Sequence, residues 1–173
     1  MKNTLIVNLY GGPGSGKSAA CGGIFYQLKK QGINCEMTRE YAKEIVWEGN
    51  LGKLRNQIYI FGKEHRKLTI LEGKVDVVIS DSPLLLVSIY AEKESQTFKQ
   101  LIYEEYDKFN NLNFFLQRPK EFDSSGRVHD LKQSIQKDTE ILSLLSKKNI
   151  PFETILVSDN HVEIIANKII DQL

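Results

Sequence analysis

Gly11-Gly12-Pro13-Gly14-Ser15-Gly16-Lys17-Ser18 stands between a short apolar run, Leu5–Tyr10, and a segment with helical spacing, Ala20, Ile24 and Leu28. The octet fits G-x-x-x-x-G-K-[ST] in the strand–loop–helix setting that this pattern requires. Glycines let the chain curl with its N–H groups pointing inward, where a Cβ would obstruct. The helix that follows adds the positive end of its dipole. Lys17 is then the counter-charge for the β and γ phosphates, and Ser18 offers a hydroxyl to Mg²⁺. The expected nucleotide-binding set is Gly12, Gly14, Ser15, Gly16, Lys17, Ser18 and Ala19, with ATP and Mg²⁺ as cofactors. A rival pattern, G-x-G-x-x-[GA], fits Gly14–Ala19. It belongs directly after the strand, and it leaves Lys17-Ser18 without a purpose.

Outward from the loop the chain alternates. Asn34–Thr38, Val75–Ser80, Leu112–Gln117 and Pro151–Val157 read as further short strands. Between them, Leu54, Ile58, Phe61 and Leu68 mark a helical face ending near Gly73. Leu84–Lys93 and Gln96–Phe109 are helical pieces, Leu131, Ile135, Leu142 and Leu145 line a further helix, and Val162–Ile170 is the last. The stretch around Trp47, Gly49 and Gly52 is polar and carries no periodicity. Strands alternating with helices imply right-handed parallel crossovers and a sheet covered on both faces. The expectation is one α/β domain over residues 1–173, three-layered, with a mostly parallel sheet of five strands.

Composition agrees with this. In 173 residues the hydrophobic fraction is 41%, enough for a core that needs neither metal nor disulfides. The 23 basic and 22 acidic residues nearly cancel, which argues against nucleic acid or another polyanion as partner. No apolar run reaches the length of a membrane span, and Leu5–Tyr10 is too short for a signal sequence. Cys21 and Cys35 read as buried thiols of a reducing compartment, so the expected location is cytoplasmic.

Ligands of open parallel sheets sit outside the carboxyl ends of the strands, so residues there are the candidates for chemistry. Asp81 ends the third strand; it could hold the Mg²⁺ shell or take a proton, or it could cap the helix after Pro83. Arg39 and Glu40 end the second. Glu40 could bind or deprotonate an acceptor hydroxyl, or be a solvated residue at a helix start. Arg118–Asp130, after the fourth strand, is a polar lid candidate. Its arginines are Arg118 and Arg127, and Arg127 is the preferred catalytic cation. Absences narrow the class. No [NT]-K-x-D signature is present, Asn167-Lys168-Ile169-Ile170 carrying Ile in place of Asp. No D-x-x-G follows the third strand, which argues against a regulatory GTPase. An Asp-Glu pair typical of motor ATPases is missing there too.

These residues together resemble the ribosylnicotinamide kinase domain of NadR-type proteins, among the P-loop nucleoside and nucleotide kinases. The likeness rests on GGPGSGKS, on Arg39-Glu40-Tyr41-Ala42-Lys43-Glu44 beside that family's E-Y-[AG]-R-E, on Ile79-Ser80-Asp81-Ser82, and on Asp123-Ser124-Ser125-Gly126-Arg127 beside its D-D-G-L-R lid. It spans roughly residues 4–170. It departs where Lys43 replaces Arg and where the lid lacks its second Asp and its Leu. The resemblance implies strand order 2-3-1-4-5, ATP as donor and a nucleoside-like acceptor. It also implies Glu40 and Asp81 at the acceptor and metal or base positions and Arg127 in the lid; a further departure is that no adenylyltransferase domain accompanies the kinase, so a stand-alone version is expected.

Three functions follow. One is a kinase acting on a nucleoside-like hydroxyl, nicotinamide riboside among the candidates, with Tyr41, Trp47, Tyr59 or Phe61 available to stack a ring. Another is a nucleoside monophosphate kinase, whose charged acceptor would need Arg39, Arg55 or Arg66. The third is a non-catalytic NTP-binding module.

Overall fold

The computed structural model describes residues 3–118 and 131–173. Strands β1 (Leu5–Tyr10), β2 (Cys35–Thr38), β3 (Val77–Ser80), β4 (Asn110–Gln117) and β5 (Glu153–Leu156) form one sheet in the order β2-β3-β1-β4-β5. Every pairing is parallel. The expected α/β sheet and its strand order are therefore both present. β1 is central, and all six of its residues are buried, as a strand covered on both faces must be.

The helices divide between the two faces. Leu5, Val7 and Leu9 join Ala20, Ile24 and Leu28 of α1 (Lys17–Lys30) and Ile165 and Ile169 of α7 (His161–Ile170) in one core. Ile6 and Tyr10 point the other way. They enter a core built with α3 (Gln57–Thr69), α4 (Leu84–Tyr90), α5 (Gln96–Tyr106) and α6 (Leu131–Lys147). Asn8 shares this second face and would be costly there alone. Its amide donates to Asn111 Oδ1 at 2.9 Å and Asn113 Oδ1 at 3.0 Å, and the Tyr106 hydroxyl donates to the same Asn113 oxygen at 2.9 Å.

Two expectations change. The polar stretch after β2 contains a helix, α2 (Tyr41–Trp47), followed by a 3-10 turn, Leu51–Arg55, which takes Leu54 out of α3. α2 buries only Ile45, so no apolar periodicity announces it. β4 begins two residues early, because Asn110 and Asn111 stand in register with Leu5 and Ile6. Among the described residues no helix is long and apolar enough to cross a membrane. Cys21 and Cys35 are buried free thiols.

Candidate active site

β1 delivers the chain to the phosphate loop at the carboxyl edge of the sheet. Gly14 (φ 83°) and Gly16 (φ 86°) take left-handed backbone conformations that side chains resist, and Gly16 caps α1. The turn closes with Ser15 N–H donating to Gly12 O at 3.2 Å, and α1 starts with Ala20 N–H on Gly16 O at 2.9 Å. Lys17 folds back over the loop; its Nζ donates to Gly11 O at 2.7 Å and Gly12 O at 3.2 Å.

Asp81 follows β3, held by its own N–H to Thr38 O at 3.1 Å, and only 4% of it is exposed. Ser18 Oγ donates to Asp81 Oδ2 at 2.7 Å. The other oxygen, Oδ1, is buried with no hydrogen-bond partner among the described residues. A capping role is not what Asp81 performs: the N-cap of α4 is Pro83, and no side chain caps it. A buried, unpartnered carboxylate oxygen beside a serine hydroxyl fits Mg²⁺, which keeps several waters and takes few protein ligands. It fits less well an ion that demands a full protein cage, and no group of three His, Cys, Asp or Glu suited to a metal occurs among the described residues.

Glu40 occupies the N-cap position of α2 without capping it. Burial raises its carboxyl pKa above the ordinary glutamate value; Lys17 pulls it back and Asp81 pushes it further up. Glu40, Ser18 and Asp81 line a cleft of about 400 Å³ together with Arg39, Lys43, Glu44, Trp47 and Glu48. Glu40, Glu44 and Glu48 recur every four residues, so α2 and its flanks bring all three to the cleft. Glu44 stands in the stretch that resembles E-Y-[AG]-R-E but received no role from the sequence, and Glu48 was missed, although that spacing was available. So was Glu64 of α3, which accepts the first N–H of α2, Tyr41 N–H, at 2.6 Å.

The four aromatic candidates separate. Phe61 is buried against Phe98 and His65. Tyr41 and Tyr59 pack edge to face with their hydroxyls 2.8 Å apart, tying α2 to α3. Trp47 is 77% exposed and lines the cleft. Of the three arginines considered for a charged acceptor, Arg39 lines the cleft, while Arg55 and Arg66 are exposed elsewhere.

Arg127 and the rest of the lid candidate beyond Arg118 lie outside the described residues. Arg118 reaches the phosphate loop itself, its Nη1 donating to Pro13 O at 3.3 Å. It also pairs with Asp138 of α6, Nη2 to Oδ2 at 2.7 Å. Asp138 lies 126 residues from Gly12, whose N–H it binds. No sequence motif pointed to it.

No curated protein matches the chain. A NadR protein solved in complex with NR has a TM-score of 0.73 at 12% identity, over 97% of this chain. The chain spans about half of that structure, 51% of its length. A deoxyadenosine kinase from M. mycoides, with dCMP and a flexible dCDP bound, has a TM-score of 0.58 at 16% identity, over 97% of this chain and 100% of that one. Shikimate kinase from Acinetobacter baumannii, in complex with shikimate, gives 0.51 at 12% identity, over 98% and 92%. These likenesses show the fold alone, the α/β fold that this chain shares with those three proteins. The AAA domain family matches residues 6–163, nearly the whole chain, and the protein belongs to that family.

Proposed function

We propose that the protein is an ATP-dependent kinase that transfers the γ-phosphoryl group to a hydroxyl of a neutral or cationic nucleoside-like molecule, such as nicotinamide riboside. One observation carries this reading: the Ser18–Asp81 pair opens onto the same cleft as Glu40 and the exposed Trp47. A donor site and an acceptor-sized cleft thus share a wall.

The division of labour follows from the contacts. The N–H groups that such a loop turns inward, together with Lys17, would bind the triphosphate. Ser18 and Asp81 would hold Mg²⁺, which supplies charge neutralisation at the β and γ oxygens when bound. With Oδ2 accepting from Ser18 and the unpartnered Oδ1 assigned to the metal, Asp81 is taken up, which leaves Glu40 to receive the proton of the attacking hydroxyl. A raised pKa makes Glu40 a stronger base than an ordinary glutamate, so long as the pH lies above that pKa. Catalysis is then mostly positioning and electrostatics.

The cleft's charges favour a nucleoside over its monophosphate. Asp81, Glu40, Glu44 and Glu48 stand against Arg39 and Lys43, so the lining is net negative. A phosphate dianion would be repelled there, and Arg55 and Arg66 do not line the cleft to offset it. The deciding experiment is an ATP-consumption screen over nucleosides, nicotinamide riboside, nucleoside monophosphates and 5′-hydroxyl oligonucleotides. Turnover confined to unphosphorylated nucleosides is expected. Turnover with monophosphates alone would replace this reading by the second, and turnover with no acceptor would leave a nucleotide-binding module.

A further inference from the structure

Gly12 is held from outside the phosphate loop. Its N–H donates to Asp138 Oδ1 at 2.6 Å. Asp138 Oδ2 receives the Arg118 guanidinium through Nε at 3.0 Å and Nη2 at 2.7 Å. Arg118 in turn donates to Pro13 O in the loop and to Ser134 O on α6, each at 3.3 Å. The pair is largely shielded from water, with side-chain exposures of 10% for Arg118 and 18% for Asp138. The loop approaches α6 so closely that a Cβ on Gly12 would meet Ser134 O at 2.5 Å and Asp138 Oδ1 at 2.9 Å. This close approach, rather than an unusual φ, requires glycine at position 12.

We infer that Asp138 is a positioning residue for nucleotide binding: its two oxygens fix the first turn of the phosphate loop, one through Gly12 N–H and the other through Arg118 and Pro13 O. The inference rests on the proposed reading of the loop as a triphosphate site. It goes beyond that reading because it gives a role to a helix that contributes nothing to the phosphate-loop motif.

The physical argument is about pre-organisation. A loop that must present several N–H groups to one phosphate loses affinity if its backbone is free to sample other conformations. Gly11, Gly12 and Gly14 give this loop that freedom. A charged acceptor on a backbone N–H is among the stronger hydrogen bonds available to restrain it. It also keeps the Gly12 N–H from being buried without a partner, Gly12 itself being buried. Lys17 offers no substitute, since it bonds the carbonyls of Gly11 and Gly12, not their N–H groups.

The test measures binding rather than turnover, so it stands apart from the identity of the acceptor. MgATP and MgADP are titrated calorimetrically into the wild-type protein and into Asp138→Ala and Asp138→Asn, each with its thermal midpoint. Asp138→Ala is expected to weaken both nucleotides about tenfold, the scale of one charged hydrogen bond on a backbone donor. Asp138→Asn keeps an oxygen for Gly12 N–H but sets an NH2 donor against Arg118, so it is expected to lose less affinity than Asp138→Ala but more than none. Affinity unchanged in Asp138→Ala, with only the midpoint lowered, would overturn the inference and leave Asp138 a packing residue. Equal losses in the Asn and Ala variants would overturn it as well, because the oxygen kept for Gly12 N–H would then contribute nothing and the effect would belong to Arg118 alone. Should Asp138→Ala not fold, Gly12→Ala supplies the second arm: it keeps the carboxylate but forces α6 away, and unchanged affinity there would count against the inference. Wild-type protein that binds MgATP but phosphorylates no nucleoside would sink the proposed function and leave this inference intact.

Discussion

The two sides of the cleft are built differently. On the proposed donor side, the phosphate loop, Ser18 and Asp81 are held by contacts that reach across the molecule, from Thr38 O to Asp138. On the proposed acceptor side, α2 buries one residue, Ile45, and with Glu48 just after it shows Lys43, Glu44 and Trp47 to solvent. The donor side is a fixed frame for one ligand chemistry. The acceptor side is a short helix whose exposed residues can be exchanged at little cost to the core. The contrast predicts large, acceptor-independent effects from donor-side changes and smaller, acceptor-specific ones from α2.

The largest effect belongs to Lys17. Lys17→Ala is expected to reduce phosphoryl transfer to below about one-thousandth of wild type, with the far-ultraviolet circular dichroism unchanged, because a cation on the transferring phosphate is lost. Retained transfer would break the donor-side account at its base. Asp81→Asn comes next. The carboxamide can still accept from Ser18 but brings no charge to Mg²⁺, so kcat should fall by about a hundredfold or more while ATP affinity falls far less. A near-normal kcat would remove Asp81 from the metal site.

Trp47→Ala probes the other side. Stacking of a ring on an aromatic is worth about 1–3 kcal/mol, so KM for the acceptor should rise roughly tenfold while KM for ATP stays put. An equal rise in both would erase the distinction between the two sides.

The same contrast governs what the sequence reveals. The donor side is contiguous: eight residues carry the loop, and Asp81 follows an apolar run that reads as a strand. What the sequence hides is whatever depends on distant packing. Asp138 sits in a helix with ordinary amphipathic spacing and meets Gly12 only because β1 and α6 converge. α2 hides for a different reason: with Ile45 alone buried, it has no apolar stripe. Asn110 and Asn111 disfavour a strand, yet they lie in one because β1 fixes their register, and Asn111 Nδ2 satisfies the Tyr106 and Phe109 carbonyls. The carboxylates of α2 were visible as letters, but their common direction was not, since the helix itself was unread.

The smallest effect, and the one that tests how α2 is anchored, concerns Glu64. This carboxyl is 3% exposed, accepts Tyr41 N–H at 2.6 Å and lies 3.2 Å from Lys67 Nζ. Burial pushes its pKa up to about 7 from an ordinary 4.5; Tyr41 N–H and Lys67 hold it down, and Glu40 adds to the rise. Between those two values the folded chain holds a proton that the unfolded chain has released. Stability from this group is therefore complete below about pH 4.5 and is lost as the pH climbs through about 7. Over that window the linkage amounts to something on the order of 3 kcal/mol. Glu64→Gln keeps an oxygen for Tyr41 N–H and does not ionise. Urea unfolding at pH 5, 6, 7 and 8 should show wild type losing stability faster than the variant as pH rises, with the residual slope of the variant belonging in part to Glu40. Parallel curves would mean that Glu64 titrates alike in both states. Acceptor KM in the variant should move less than in Trp47→Ala, and KM for ATP not at all, because Glu64 touches the start of α2 and nothing on the donor side.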